Sequence, residues 1–91
     1  EVIYKHGFSD DEFNHGTGHP LGITTHAIGP ALTKREWSKR AELKLTPMII
    51  VTIEPGIYIK EKFGVRLEDD VLVLEDGCKS LSKAPNELIC I

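Results

Sequence analysis

The chain lacks the features that mark several classes of protein. Its two cysteines, Cys78 and Cys90, are too few for a disulfide framework and form no C-x-x-C pattern. The longest apolar runs, such as 48–51 and 71–74, are four residues each, whereas a membrane-spanning helix needs about 20. Lys and Arg number 11 against 14 Asp and Glu, so the positive charge that binds a phosphate backbone is missing. We expect no membrane span, no nucleic-acid partner and a cytoplasmic location.

The length of the chain limits its organisation to one small domain. Its 91 residues are fewer than most independent domains contain. Apolar residues at 41% and charged residues at 27% are ordinary for a globular protein and exclude wholesale disorder. The sequence opens with Glu1 rather than Met and shows no signal peptide. We therefore predict that it is part of a longer protein.

Residue patterns predict a chain made mainly of strands. β-Branched residues between Pro47 and Pro55 predict a strand over 48–53, a second extended segment covers 57–59, and a longer strand covers 65–74. Asp76-Gly77 is a turn signal after that strand. Residues 30–45 carry a rough apolar stripe among many charges, which predicts a surface helix or a long loop.

Three of the four histidines flank a glycine-rich segment. His15, His19 and His26 lie in or beside H-G-T-G-H-P-L-G, where glycines let the backbone approach a ligand or another strand closely. An imidazole fixed at such a place can serve a metal ion or a substrate. The H-E-x-x-H motif of zinc proteases is absent, because Gly16 stands where its general base would be. A structural role would also explain any one of these histidines taken singly.

Two glutamates end up near each other if the predicted strands pair. Glu54 ends an apolar strand, and Glu68 shares a face of the next long strand with Arg66. Carboxylates that face one pocket repel each other unless a proton or a cation lies between them, and a divalent ion with imidazole and carboxylate ligands would suit that place. From spacing alone, pairing of these glutamates with Arg66 or a lysine is equally acceptable.

Three ordered motifs resemble the pita-bread metallopeptidases, especially the Xaa-Pro aminopeptidase and Xaa-Pro dipeptidase (prolidase) branch. They are H-G-T-G-H-P-L-G at 15–22, T-I-E-P-G-I-Y-I at 52–59 and G-V-R-L-E-D-D at 64–70. Residues 83–88 also resemble the closing strand of that family. The resemblance implies an α+β fold: the C-terminal portion of a pita-bread domain, with a mainly antiparallel curved sheet. Residues 1–91 would then be one fragment of the catalytic domain.

The same resemblance assigns roles to individual residues. It implies that His19 and Glu54 ligate one divalent ion and that Glu68 bridges two ions, which would be Mn, Co, Zn or Fe. Glu54 would also act as the general base, and His26 would hydrogen-bond the substrate or the tetrahedral intermediate. His15 would help to hold the residue after the scissile bond. Arg66 would support Glu68 or another ligating carboxylate from outside the coordination shell.

Departures from the family pattern concern the pocket and the missing ligands. The family usually shows G-H-G-x-G and D-V-H-E, whereas Pro20 follows His19 here and Ala27 follows His26. The family also draws two Asp ligands from well upstream, and Asp10 and Asp11 do not replace them. The chain thus supplies three of five expected ligands and would be inactive without the N-terminal half of the domain.

The resemblance predicts an exopeptidase that uses two metal ions and cleaves peptide bonds next to proline. Its partners would be a proline-containing peptide substrate and the remainder of the catalytic domain, and a homo-oligomer is left open. One alternative is a non-catalytic pita-bread module that binds a peptide or protein. Another is a different enzyme on the same fold, such as a methionine aminopeptidase or a creatinase-like hydrolase.

Overall fold

A computed structural model describes residues 1–91, and most of its regular structure is antiparallel sheet. The single α-helix is one turn long, and a 3-10 turn lies in the middle of the chain. The elements in chain order are α1 (Val2–Lys5), β1 (Pro20–Leu21), the 3-10 helix (Lys39–Glu42), β2 (Ile50–Ile53), β3 (Gly56–Ile59), β4 (Phe63–Arg66), β5 (Asp69–Leu74) and β6 (Gly77–Ser80). No helix has the length and apolar character needed to cross a membrane.

The main sheet has four strands in the order β1-β2-β5-β6, and every neighbouring pair is antiparallel. Strands β3 and β4 pair separately as a hairpin. Val51 of β2 and Val71 of β5 lie opposite each other and are buried. Phe13, from the N-terminal segment, is the third buried apolar side chain. The sheet therefore has a small core, centred on its two middle strands.

The strand predicted over 65–74 is in fact two strands, β4 and β5, because the ladder is interrupted at Leu67 and Glu68. Each half pairs with a different partner, so the chain passes from the hairpin into the main sheet at this point. Strand β2 also begins later than predicted, at Ile50, because Met48 has a φ of 70° that an extended strand does not accept. The predicted turn after β5 is present, but it is formed by Glu75 and Asp76, and Gly77 is the first residue of β6, the edge strand.

The segment over 30–45 is a long loop, and the alternative of a helix is not realised there. Leu32 pairs with Gly18 in an isolated antiparallel bridge, which holds the start of the segment extended. Only one 3-10 turn forms, at Lys39–Glu42, with Ser38 as its N-cap. Tertiary pairing has overridden the weak helical stripe of the sequence.

A cation and two aromatic rings join this loop to the N-terminal segment. The Lys34 ammonium donates a hydrogen bond to Asp10 and lies 4.9 Å from the ring centroid of Tyr4 and 4.5 Å from that of Trp37. The hydrogen bond from Lys34, aided by one from Tyr4, lowers the pKa of Asp10, and the same contact with Asp10 raises the pKa of Lys34. These contacts tie residues that are far apart in sequence.

Candidate metal centre

His19 and Glu54 form the centre of the site. His19 Nε2 lies 3.0 Å from Glu54 Oε1, and both side chains are largely shielded, with 18% and 13% of their surface exposed. His19 Nδ1 lies 3.1 Å from the carbonyl oxygen of Pro20, which can only accept a hydrogen bond, so Nδ1 carries the proton. In a neutral ring, Nε2 then presents a lone pair to a carboxylate oxygen. Two acceptors at that distance require a proton or a cation between them.

Thr52 contacts both His19 and Glu54. Its hydroxyl accepts a hydrogen bond from the His19 amide at 3.0 Å and lies 3.1 Å from Glu54 Oε1, to which it can donate. The Thr52 amide also donates to the His19 carbonyl at 2.9 Å. The Thr52 side chain is fully buried. One hydroxyl thus fixes the relative position of an imidazole and a carboxylate that lie far apart in the sequence.

Gly18 makes this arrangement sterically possible. A Cβ atom at Gly18 would overlap the carbonyl oxygen of Thr52 and approach its hydroxyl to 3.2 Å. Only glycine lets the segment before His19 run this close to β2. The second glycine of the H-G-T-G-H motif is therefore explained by packing against β2, next to the His19–Glu54 pair.

Arg66 reaches the other oxygen of Glu54. Its Nε lies 3.6 Å from Glu54 Oε2, and half of its side chain is exposed. A hydrogen bond to Tyr58, followed by the charges of Tyr58 and Glu54, raises the pKa of Arg66. Arg66 is thus a neighbour of Glu54 Oε2, whereas Glu54 Oε1 contacts His19. This contact fits both the supporting role and the alternative of a simple ion pair.

Two polar contacts, with Gly16 and with Tyr58, hold the His15 ring. Its Nδ1 donates to the Gly16 carbonyl at 2.6 Å, so its Nε2 can accept from the Tyr58 hydroxyl at 3.0 Å. Gly56 leaves room for this contact, because a Cβ there would lie 2.7 Å from His15 Nε2. Tyr58 therefore fixes the His15 ring against β3.

His26 is placed over His19 by the loop that follows β1. The two ring centroids are 4.2 Å apart and the ring planes meet at 35°. The His26 residue is exposed, so its imidazole edge is open to a molecule that approaches the pair. His15, His19 and His26 thus belong to one region around Glu54.

Glu68 is exposed, and the chain does not gather three or more His, Cys, Asp or Glu side chains at metal-binding distances. The backbone nevertheless sets Glu68 opposite Glu54 in register. Ile53 pairs with Asp69, and Gly56 pairs with Arg66. The number of residues between Ile53 and Gly56 equals the number between Arg66 and Asp69. Counting from either pair brings Glu54 opposite Glu68, at the point where the ladder is interrupted.

The residue patterns predict no role in the site for Thr52 or Tyr58. Thr52 lies two residues before Glu54, so strand alternation puts both on one face, and Thr52 is completely buried there. Tyr58 lies four residues after Glu54. Because side chains alternate along a strand, this spacing could have predicted that Tyr58 shares a face with Glu54. The glycine-rich segment predicted a close approach to a ligand or another strand, and the structure shows Gly18 making that approach to β2.

Residues 1–75 match the sequence model of metallopeptidase family M24. The chain belongs to this family. The resemblance of the three motifs to the pita-bread metallopeptidases is thereby confirmed at the level of the family. Relatives named as Xaa-Pro dipeptidases match nearly the whole chain. The M24 model describes a family of metallopeptidases.

Several M24 relatives are similar to this chain in sequence and structure. An uncharacterised peptidase of Bacillus subtilis is 44% identical over 81 residues, which cover 89% of this chain and 21% of the relative. The Xaa-Pro dipeptidase of Pyrococcus furiosus is 40% identical over 92 residues, covering 98% and 24%. The crystal structure of the prolidase from Pyrococcus horikoshii OT3 superimposes with a TM-score of 0.79 at 38% identity, covering 97% and 23%. The predicted pita-bread fold is confirmed, and the chain spans less than a quarter of these relatives.

Proposed function

We propose that the protein is a peptidase that uses two divalent metal ions and cleaves peptide bonds next to proline, as an Xaa-Pro dipeptidase or Xaa-Pro aminopeptidase. The observation that carries this proposal is the contact of His19 Nε2 with Glu54 Oε1 at 3.0 Å, with the Nδ1 proton turned away toward Pro20. Names of the relatives, such as Xaa-Pro dipeptidase and prolidase, support the substrate class.

The residues around Glu54 suit a divalent ion. Imidazole nitrogen and carboxylate oxygen bind such ions at about 2.0–2.2 Å. Two of these atoms on adjacent corners of one coordination shell lie roughly 3 Å apart, which is the separation found here. His19 and Glu54 would hold one ion, and Glu68 would bridge it to a second. Two further carboxylates would come from a part of the protein outside residues 1–91.

Each residue has a distinct task in the proposed reaction. When bound by His19, Glu54 and Glu68, divalent ions would supply Lewis acidity toward a water molecule and a carbonyl group. Glu54 takes the proton from the attacking water as general base. His26 donates a hydrogen bond to the substrate carbonyl region, and His15 holds the residue after the scissile bond. Arg66 and Tyr58 position Glu54 and His15 from outside the reacting group.

Replacing Glu54 by Gln tests the proposal in the intact protein. The change keeps the size of the side chain but removes a ligand and the general base, so we expect turnover of Xaa-Pro peptides to fall by about 10²–10⁴-fold or more. The thermal unfolding temperature should change little. The matched control is Glu75→Gln, at an exposed turn residue without polar partners, which should keep full activity. Undiminished turnover in Glu54→Gln would refute the role of Glu54.

A panel of substrates separates the proposed enzyme from its relatives on the same fold. Xaa-Pro dipeptides, longer Xaa-Pro peptides and peptides that begin with Met should be compared in the intact protein. We expect hydrolysis next to proline and none after Met. Cleavage restricted to dipeptides would identify a dipeptidase, and cleavage of longer peptides an aminopeptidase. Residues 1–91 alone should show little or no turnover, because two of the five proposed ligands lie elsewhere.

A non-catalytic binding module is the second candidate. It is favoured by the contact of Arg66 with Glu54 and by the absence of a three-ligand group within this chain. The two candidates differ in metal content, which elemental analysis of the intact protein measures. Bound Mn, Co, Zn or Fe near two ions per chain supports the peptidase, and no metal after reconstitution supports the binding module.

A further inference from the structure

Arg40 holds the loop that carries His26. Its Nε donates to the Gly29 carbonyl at 2.8 Å, and its terminal nitrogen donates to the Ala27 carbonyl at 2.8 Å. Its own carbonyl accepts from the Ala31 amide at 3.1 Å. Ser38 caps the 3-10 turn by accepting from the Arg40 amide, so the guanidinium starts from a fixed backbone position. One residue therefore ties down the segment over 27–31 at three points.

The loop has few other attachments. Residues 22–26 are all exposed, and Ile23 and Ile28 extend fully into solvent. Within the loop, Gly22 donates to the Thr24 carbonyl at 3.2 Å. The Ala27 amide closes the loop by donating to the Pro20 carbonyl at 3.0 Å. A loop with so little buried apolar surface depends on polar contacts for its order.

The loop and the metal centre share one hydrogen-bond acceptor, the carbonyl oxygen of Pro20. The Pro20 carbonyl oxygen accepts from the Ala27 amide at 3.0 Å and from His19 Nδ1 at 3.1 Å. Arg40 grips Ala27 through the carbonyl of the same residue. Arg40 thus holds the carbonyl of Ala27, while the amide of Ala27 donates to the Pro20 oxygen that fixes the His19 tautomer. Ala27 also directly follows His26, whose ring stacks on His19.

We propose that Arg40 is a positioning residue, whose guanidinium fork clamps the loop over 22–29 so that His26 stays stacked on His19 and faces the substrate. A planar guanidinium can span two carbonyls, whereas an ammonium is a point donor. Arg40 touches neither the substrate nor the metal site itself. Its effect on turnover rests on the proposed peptidase function, but its effect on the loop does not.

Amide hydrogen exchange in the intact protein tests the clamp without reference to activity. Arg40→Met keeps the aliphatic stem and removes the fork, and we expect exchange of the Ala27 amide to speed up by about tenfold, as after the loss of a charge-assisted hydrogen bond. Arg40→Lys should lie between Arg40→Met and the wild type. The matched control, Arg35→Met, removes an exposed arginine without polar partners and should leave the rate unchanged. Unchanged exchange in Arg40→Met would overturn the proposal.

A double-mutant cycle tests the link to His26. Arg40→Met should lower kcat/KM for an Xaa-Pro peptide by about tenfold through misplacement of the imidazole. In a His26→Ala background the same change should have less than a twofold effect, because the residue it positions is gone. Equal factors in both backgrounds would show that Arg40 acts elsewhere and would overturn the link. If the wild type hydrolyses no such peptide, the proposed function fails, and the exchange experiment still decides the clamp.

Discussion

At the residue scale, the hydroxyl of Thr52 decides the geometry of the site. It contacts the backbone of His19 and the carboxylate of Glu54 from a fully buried position. A partner of this kind orients ligands and sets their basicity without touching the ion. The buried hydroxyl also satisfies the His19 amide, which would otherwise lose its acceptor.

Thr52→Val tests this role because valine has nearly the same shape but no hydroxyl. We expect the affinity of the intact protein for a divalent metal to fall by about 10–100-fold, measured by calorimetric titration. Thr52→Ser keeps the hydroxyl and should bind within a few-fold of the wild type. Thr46→Val, at an exposed residue without polar partners, is the control. Equal affinities in Thr52→Val and the wild type would show that the hydroxyl has no part in metal binding.

The sequence allowed some of these residues to be predicted. His19 and Glu54 lie in motifs whose residue types are metal ligands, and they are indeed in contact. Arg66 could be placed near Glu54 by strand pairing, and it is there. The role of Arg40 could not be predicted, because its partners are the backbone carbonyls of Gly29 and Ala27. Every residue type has such a carbonyl, so the sequence does not mark the partners. The role of Glu68 as a bridging ligand stays a prediction.

At the element scale, the close approach of β2 to the segment before β1 shapes the site. Gly18→Ala would force a Cβ against the Thr52 carbonyl, so we expect a loss of unfolding free energy at the upper end of about 1–3 kcal/mol. Gly77→Ala is the matched control, since a Cβ there meets no atom within 4 Å, and its effect should stay within about 0.5 kcal/mol. Denaturant unfolding of the intact protein measures both, and similar effects in the two variants would contradict the packing argument.

The contact between Lys34 and Asp10 makes a pH-dependent contribution to stability. The pKa of Asp10 is lowered from its ordinary value of 3.8 by Lys34, so the contribution is present above pH 3.8 and is lost as the pH falls below it. In Lys34→Met, the loss of unfolding free energy between pH 5 and pH 3 should therefore be smaller than in the wild type. Lys44→Met, at an exposed lysine without a carboxylate partner, should follow the wild type. Parallel pH profiles for Lys34→Met and the wild type would contradict this account.

Local sequence patterns predicted the presence of strands better than the residues at which the strands begin and end. β-Branched runs marked β2 and β5 because both lie in the buried middle of the sheet. The break at Leu67 and Glu68 was not predicted, since it arises where the chain changes its pairing partner. The segment over 30–45 has helical periodicity, yet the bridge between Gly18 and Leu32 keeps its start extended. Long-range pairing decided both cases.

At the scale of the whole molecule, the chain leaves much apolar surface exposed. Only seven of its 91 residues are buried, far fewer than a self-sufficient domain requires. Exposed apolar side chains occur on β4 and throughout the C-terminal segment, and they include Phe63, Val65, Leu88, Ile89 and Ile91. The M24 relatives are at least four times as long as the region they share with this chain. In the proposed enzyme, the remainder of the catalytic domain would cover these residues and supply the two further carboxylate ligands.

Anomalous diffraction from crystals of the intact protein with Mn²⁺ tests the central proposal most directly. It locates the ion without relying on turnover. We predict an anomalous peak within about 2.0–2.3 Å of His19 Nε2 and a Glu54 oxygen, and a second peak that shares Glu68 with the first. Density without such a peak at saturating Mn²⁺, with Glu54 paired to Arg66 instead, would contradict the account.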